Sequence, residues 1–80
     1  MSNKKATVLS EIKPGTRARI LKVAGNGETS RRIADMGMTA GSIVEVKRVA
    51  PLGDPMEVRI RGYYLSLRLA EASRIAVVPI

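Results

Sequence analysis

The chain has no cysteine, histidine, tryptophan or phenylalanine, and its only aromatic side chains are Tyr63 and Tyr64. Without cysteine there is no disulfide, no thiolate metal centre and no thiol nucleophile. Without histidine the chain lacks the commonest general base and the commonest metal ligand, and a His-dependent triad is impossible. Acidic side chains are scarce too, with 7 Asp and Glu against 14 Lys and Arg. A cation site would have to be built from those few carboxylates and backbone carbonyls. These absences argue against an enzyme and against a resident metal or cofactor. No apolar run approaches the roughly 18 residues of a membrane-spanning helix. The polar start Met1-Ser2-Asn3-Lys4-Lys5 is not followed by the apolar stretch of a secretion signal. The expected location is the cytoplasm.

What is present fits one small globular domain. Eighty residues that are 45% hydrophobic and 26% charged are too apolar for a disordered chain, and residues 7–80 are expected to fold after a flexible tail over 1–6. Seven glycines and four prolines predict many tight turns. The net charge of +7 favours nucleic acid, an anionic membrane or an acidic protein as partner.

Periodicity divides the chain into short strands. After a mixed segment over Val8–Ile12, Pro14-Gly15 marks a turn. From Thr16 to Ala24 arginines at 17 and 19 alternate with Ala18 and Ile20, and the apolar phase then slips by one, to Leu21 and Val23. Such a slip signals a bulge or a strand covered on both sides. Glu28–Met36 is the best helix candidate, with Asn26 or Thr29 as cap. Ile33 and Met36 share one face, and Arg31 and Asp35 lie on the other. Gly37 suits the left-handed closing residue, with Met38 folding back onto Ile33. Ile43–Val49 and Met56–Arg61 alternate as strands, Tyr63–Leu65 is a short return strand, Ser66–Ala72 a helical turn capped by Ser66, and Ile75–Val78 a buried strand ended by Pro79. About five short strands with one helix predict a mainly β fold, a small SH3-like barrel with a short α-helical insertion.

Four features carry candidate chemistry. Gly25-Asn26-Gly27 precedes the helix but lacks the lysine and hydroxyl of a phosphate loop, so it reads as a strand-to-helix turn. The arginine pairs 17/19, 59/61 and 31/32 suit a phosphate backbone, an acidic protein or plain solvation, and the scarcity of stacking aromatics counts against single-stranded nucleic acid. Met36, Met38 and Met56 lie near Asp35, Asp54 and Glu57, yet thioethers are poor ligands for ferrous iron, and core packing explains Met36 and Met56 more simply. The stiff loop Ala50-Pro51-Leu52-Gly53-Asp54-Pro55 either presents Leu52 to a partner or tucks it over the barrel end.

Leu9 with Pro14-Gly15, Arg32-Ile33-Ala34-Asp35-Met36-Gly37-Met38, Gly41, Val49-Ala50-Pro51-Leu52-Gly53-Asp54-Pro55, Arg61-Gly62-Tyr63, Leu67-Arg68 and Glu71-Ala72 occur in this order. In this series the chain resembles the FeoA family of bacterial ferrous iron transport, from about residue 7 to residue 78. The resemblance implies an SH3-like barrel that regulates the membrane transporter FeoB from its cytoplasmic side, through the G-protein domain or the membrane part. It supplies no catalytic set and no stable metal. The expected partner contacts are Arg31, Arg32, Asp35 and Met38 on and after the helix, with Leu52 and Asp54 in the loop. The alternative from the charge alone is a small basic nucleic-acid-binding barrel. Self-association is left open, through strand edges or the apolar end Val77-Val78-Pro79-Ile80.

Overall fold

The computed structural model describes residues 5–25 and 27–80. Most of the expected tail, and Asn26 as a helix cap, lie outside the described residues. Strand β1 (Thr7–Val8) runs into a 3-10 turn at Leu9–Glu11 and is followed by β2 (Arg17–Val23), helix α1 (Glu28–Asp35), β3 (Ile43–Val49), β4 (Met56–Ile60), β5 (Tyr63–Leu67), helix α2 (Leu69–Ala72) and β6 (Ile75–Pro79). The strands form one sheet of order β1-β6-β2-β3-β4-β5, antiparallel throughout. The sheet has six strands where periodicity gave about five, because two residues of the mixed N-terminal segment pair with β6.

Alternation decides which side chains face inward. Ala18 and Ile20 on β2, Val44 and Val46 on β3, and Met56, Val58 and Ile60 on β4 are all buried. The expected phase slip in β2 is a bulge: Ile20 pairs with Val77 and Lys22 with Ala76, so Leu21 is the extra residue. Leu21 is exposed, and Val23 beyond it packs against the core. A second bulge at Lys47 lets both Val46 and Val49 turn inward. Bulges bend and twist a strand, and both lie in the strands around which the sheet must curl.

The helix closes one end of this core. Ile33 is fully buried, Met36 packs against the core, and Arg31 and Asp35 are exposed. The N-cap position belongs to Gly27, so Thr29 lies inside the helix and does not cap it. Gly37 takes the left-handed conformation (φ +99°), and its N–H donates to the Ala34 carbonyl at 3.0 Å. Met38 follows it into the same core that holds Ile33.

One sequence expectation is corrected by tertiary pairing. Ser66 does not cap α2. It lies in β5 opposite Glu57, and the helix starts only at Leu69. The C-terminal strand β6 lies between β1 and β2, with β1 pairing to it at Ala76 and Val77.

The tip of the β4–β5 hairpin locks the end of α1. Arg61 and Gly62 both have positive φ (+51° and +87°), as a two-residue hairpin turn of matching twist requires. The Tyr63 hydroxyl then donates to the Met36 carbonyl at 3.0 Å, and a Cβ added at Gly37 would stand 3.2 Å from that hydroxyl oxygen. Replacing Gly37 by alanine should therefore cost about 1–3 kcal/mol in urea unfolding, from the left-handed backbone and the close approach together. Tyr63→Phe should cost about 0.5–1.5 kcal/mol.

Candidate functional site

The segments expected to contact a partner meet around α2. The Asp54 carboxylate in the 50–55 loop accepts from the Leu69 N–H at 3.0 Å. Glu71 accepts from the Arg68 N–H at 2.8 Å with one oxygen and from the Arg32 guanidinium at 2.9 Å with the other. A short helix leaves its first N–H groups without intrahelical partners. Here Glu71 satisfies one from within, as in one arm of a capping box, and Asp54 satisfies the next from a distant loop. Arg68 cannot supply the reciprocal arm, since a guanidinium has no acceptor. Through these bonds the loop, α2 and α1 form one braced band.

The expected contact residues divide within this band. Leu52 is 94% exposed at the tip of its loop, which decides between the two orientations the sequence left open. Arg31 and Asp35 are exposed on the outer side of α1. Arg32 and Asp54 are exposed as well, but each is spent on an internal bond. Met38 is fully buried in the core and cannot meet a partner. Its apolar side chain is drawn inward by the same left-handed turn at Gly37 that ends the helix.

Residues that the sequence did not mark for these bonds hold the connections together. Glu71 stands three residues after Arg68, the spacing of a capping box, which is the signal that would have found it. Arg61 donates to the hydroxyls of Ser42 at 3.2 Å and Thr39 at 3.3 Å, tying the hairpin tip to the α1–β3 connection. Beneath the 50–55 loop a shallow pocket of about 300 Å³ is lined by residues including Val49, Pro51, Pro55 and Ser66. Among the described residues no cluster of three or more Asp and Glu has metal-binding geometry, and no helix is long and apolar enough to cross a membrane.

These bonds tie together segments that carry the family resemblance: Met36 of Asp35-Met36-Gly37 to Tyr63 of Arg61-Gly62-Tyr63, Asp54 of Gly53-Asp54-Pro55 to Leu69 at the start of α2, and Arg32 and Arg68 to Glu71. A model of the FeoA domain matches residues 7–79. The chain belongs to the FeoA family. The Chlorobium tepidum FeoA structure is 42% identical and superposes with a TM-score of 0.85, covering 92% of this chain and 70% of that one. FeoA of Stenotrophomonas maltophilia, solved with zinc and described as a prokaryotic SH3 domain protein with a suggested role as a ferrous iron transport activating factor, is 29% identical. Its TM-score is 0.79, with 89% of this chain and 88% of that one covered. The expected SH3-like fold is thus the fold of the family, built here as an unclosed six-stranded sheet. A curated relative in Porphyromonas gingivalis is a fusion of Fe(2+) transport protein A with the Fe(2+) transporter FeoB, 42% identical over 69 residues. The match takes in 86% of this chain but only 8% of the fusion. FeoA is thereby linked to ferrous iron transport as a small accessory domain.

The FeoA band has a pH signature. The Glu71 carboxyl is held below its usual value of 4.5, chiefly by the Arg68 N–H; partial burial opposes this, and Arg32 adds to it by hydrogen bond and charge. Because the folded value is depressed, the stabilisation is present above the unfolded value and is lost as pH falls through the folded one. The advantage of the wild type over Glu71→Gln should therefore shrink when unfolding is measured from about pH 6 down to about pH 3.

Proposed function

We propose that this FeoA domain is an accessory regulator of ferrous iron uptake that docks on the cytoplasmic side of a FeoB-type transporter and modulates it by binding rather than by catalysis. The observation that carries this reading is the Porphyromonas gingivalis relative, in which the matching segment and a FeoB transporter share one polypeptide. Fusion raises the effective concentration of one module beside the other, and separate chains must achieve the same encounter through an interface.

The exposed end of the braced band suits that role. Leu52 offers an apolar anchor on a loop whose shape is held by the Asp54–Leu69 bond, and Arg31 and Asp35 are exposed polar residues of α1, the helix that the Arg32–Glu71 pair ties to α2. A rigid surface loses little entropy on docking. The net charge of +7 speeds encounter with an acidic region and makes that rate salt-sensitive. Docking shifts the transporter between states only by as much as the domain binds one state better than the other. Iron enters this account as the transporter's cargo, and no residue of the domain is assigned to hold it.

The test is an NMR titration of labelled protein with the isolated cytoplasmic domain of FeoB, with and without GTP. Amide shifts should concentrate on Arg31–Gly37 and Pro51–Pro55. Leu52→Asp and Arg31→Glu should each weaken binding by about tenfold or more without lowering thermal stability, since both side chains are exposed. Unchanged affinity in both variants would overturn the assignment of this surface.

A further inference from the structure

The outer face of the sheet carries a charge pattern that the α1 and loop end does not use. Cross-strand register sets Arg17 of β2, Glu45 of β3, Arg59 of β4 and Tyr64 of β5 in one row. Arg19 lies two residues along, opposite Ile43, and Arg61 stands at the hairpin tip. Between them is a shallow depression of about 180 Å³, lined by Arg17, Ile43, Glu45, Arg59, Arg61 and Gly62.

The four arginines of this face outnumber its one carboxylate, Glu45. Glu45, the carboxylate in the row, has its Oε2 3.6 Å from the Lys47 ammonium. Among the described residues, Arg17, Arg19 and Arg59 have no carboxylate within ion-pair distance. Arg61 is oriented by the neutral hydroxyls of Thr39 and Ser42, which fix its position and leave its charge in place. Gathering like charges on one face costs self-repulsion, which an anionic ligand would relieve. Apolar surface lies among the charges, with Ile43 36% and Tyr64 56% exposed.

We propose that this face is a second docking surface, which takes an extended acidic protein segment. Its carboxylates would meet the guanidinium forks of Arg17 and Arg59, and an apolar side chain would cover Ile43 and Tyr64. Arginine suits carboxylates because two parallel N–H groups match two oxygens. A nucleic-acid strand fits less well: Tyr64 is the single aromatic in the row, where successive bases need successive stacking platforms, and Glu45 interrupts the positive track a phosphate backbone would follow. The surface is separate from the one assigned to the transporter, and its test uses no transporter, so either reading can fail alone.

The experiment is fluorescence polarisation of a fluorescein-labelled peptide of alternating Glu and Leu, at about 150 mM salt. Arg17→Glu with Arg59→Glu should weaken binding by about tenfold or more. Lys13→Glu with Arg74→Glu, which changes net charge equally at exposed sites elsewhere, should leave it within about threefold. In the wild type, peptide-induced amide shifts should fall on Ile43, Arg59 and Tyr64, a readout independent of whether the reversed variant folds. Equal losses in both double variants, shifts elsewhere, or no binding would overturn the proposal. So would tighter binding of oligothymidylate that the Arg17 and Arg59 reversal abolishes, which would make the face a nucleic-acid site.

Discussion

A core without phenylalanine or tryptophan must be filled by aliphatic side chains and methionine alone, and that constraint shapes the molecule. Each leucine, isoleucine, valine or methionine contributes about 1.5–3 kcal/mol when fully buried, so many of them must be enclosed by little chain. A flat sheet could cover only one side of them. The bulges at Leu21 and Lys47 put one extra residue outward in each of two neighbouring strands and bend them. Ile20 with Val23, and Val46 with Val49, then all face the same interior. The 3-10 turn brings in Leu9, and α1 and α2 bring in Ile33 and Ala72. Among the described residues no polar or charged side chain is buried, so every side-chain hydrogen bond and ion pair works at the margin of the core.

At that margin the connections are tied to one another. The Tyr63 hydroxyl holds the end of α1, Arg61 holds the connection from α1 to β3, Asp54 holds the start of α2, and Glu71 joins α2 to α1. Individually such contacts are worth little at an exposed surface. Collectively they fix three otherwise independent segments in one arrangement. The family's separated sequence blocks are therefore contact partners, and their shared business is the shape of the connecting segments. A loop held in one shape, with Leu52 exposed at its tip, would lose little entropy on docking.

The regular elements were legible because period-two alternation decides them locally. Met56, Val58 and Ile60 against Glu57 and Arg59 admit one assignment, and the phase slip after Ile20 marked the bulge in β2. The bulge in β3 has the same mark, a step of three from Val46 to Val49, but the alternation of Val44, Glu45, Val46 and Lys47 before it reads as an unbroken strand. Ser66 and Leu67 have helical companions in sequence, but pairing with Glu57 and Met56 offered them a full ladder, and the ladder prevailed. Of the candidate contacts, Leu52 and Arg31 stand free as expected of a loop tip and a helix face. Met38 does not, because an apolar residue after a left-handed glycine has the core within reach.

The sequence by itself determined the class of protein. Its excess of arginine and lysine and its alternating apolar residues dictate a small basic β domain, and its missing cysteines and histidines exclude thiolate and imidazole chemistry. Tertiary structure decided which charges are free to bind. Arg32 and Asp54 read from sequence as surface contacts, yet each completes a bond to α2, and Arg17 and Arg59 fall into one row only when β2, β3 and β4 are laid side by side. A side chain's charge is local, but its partners are set by strand order and register, which bring together residues far apart in the chain.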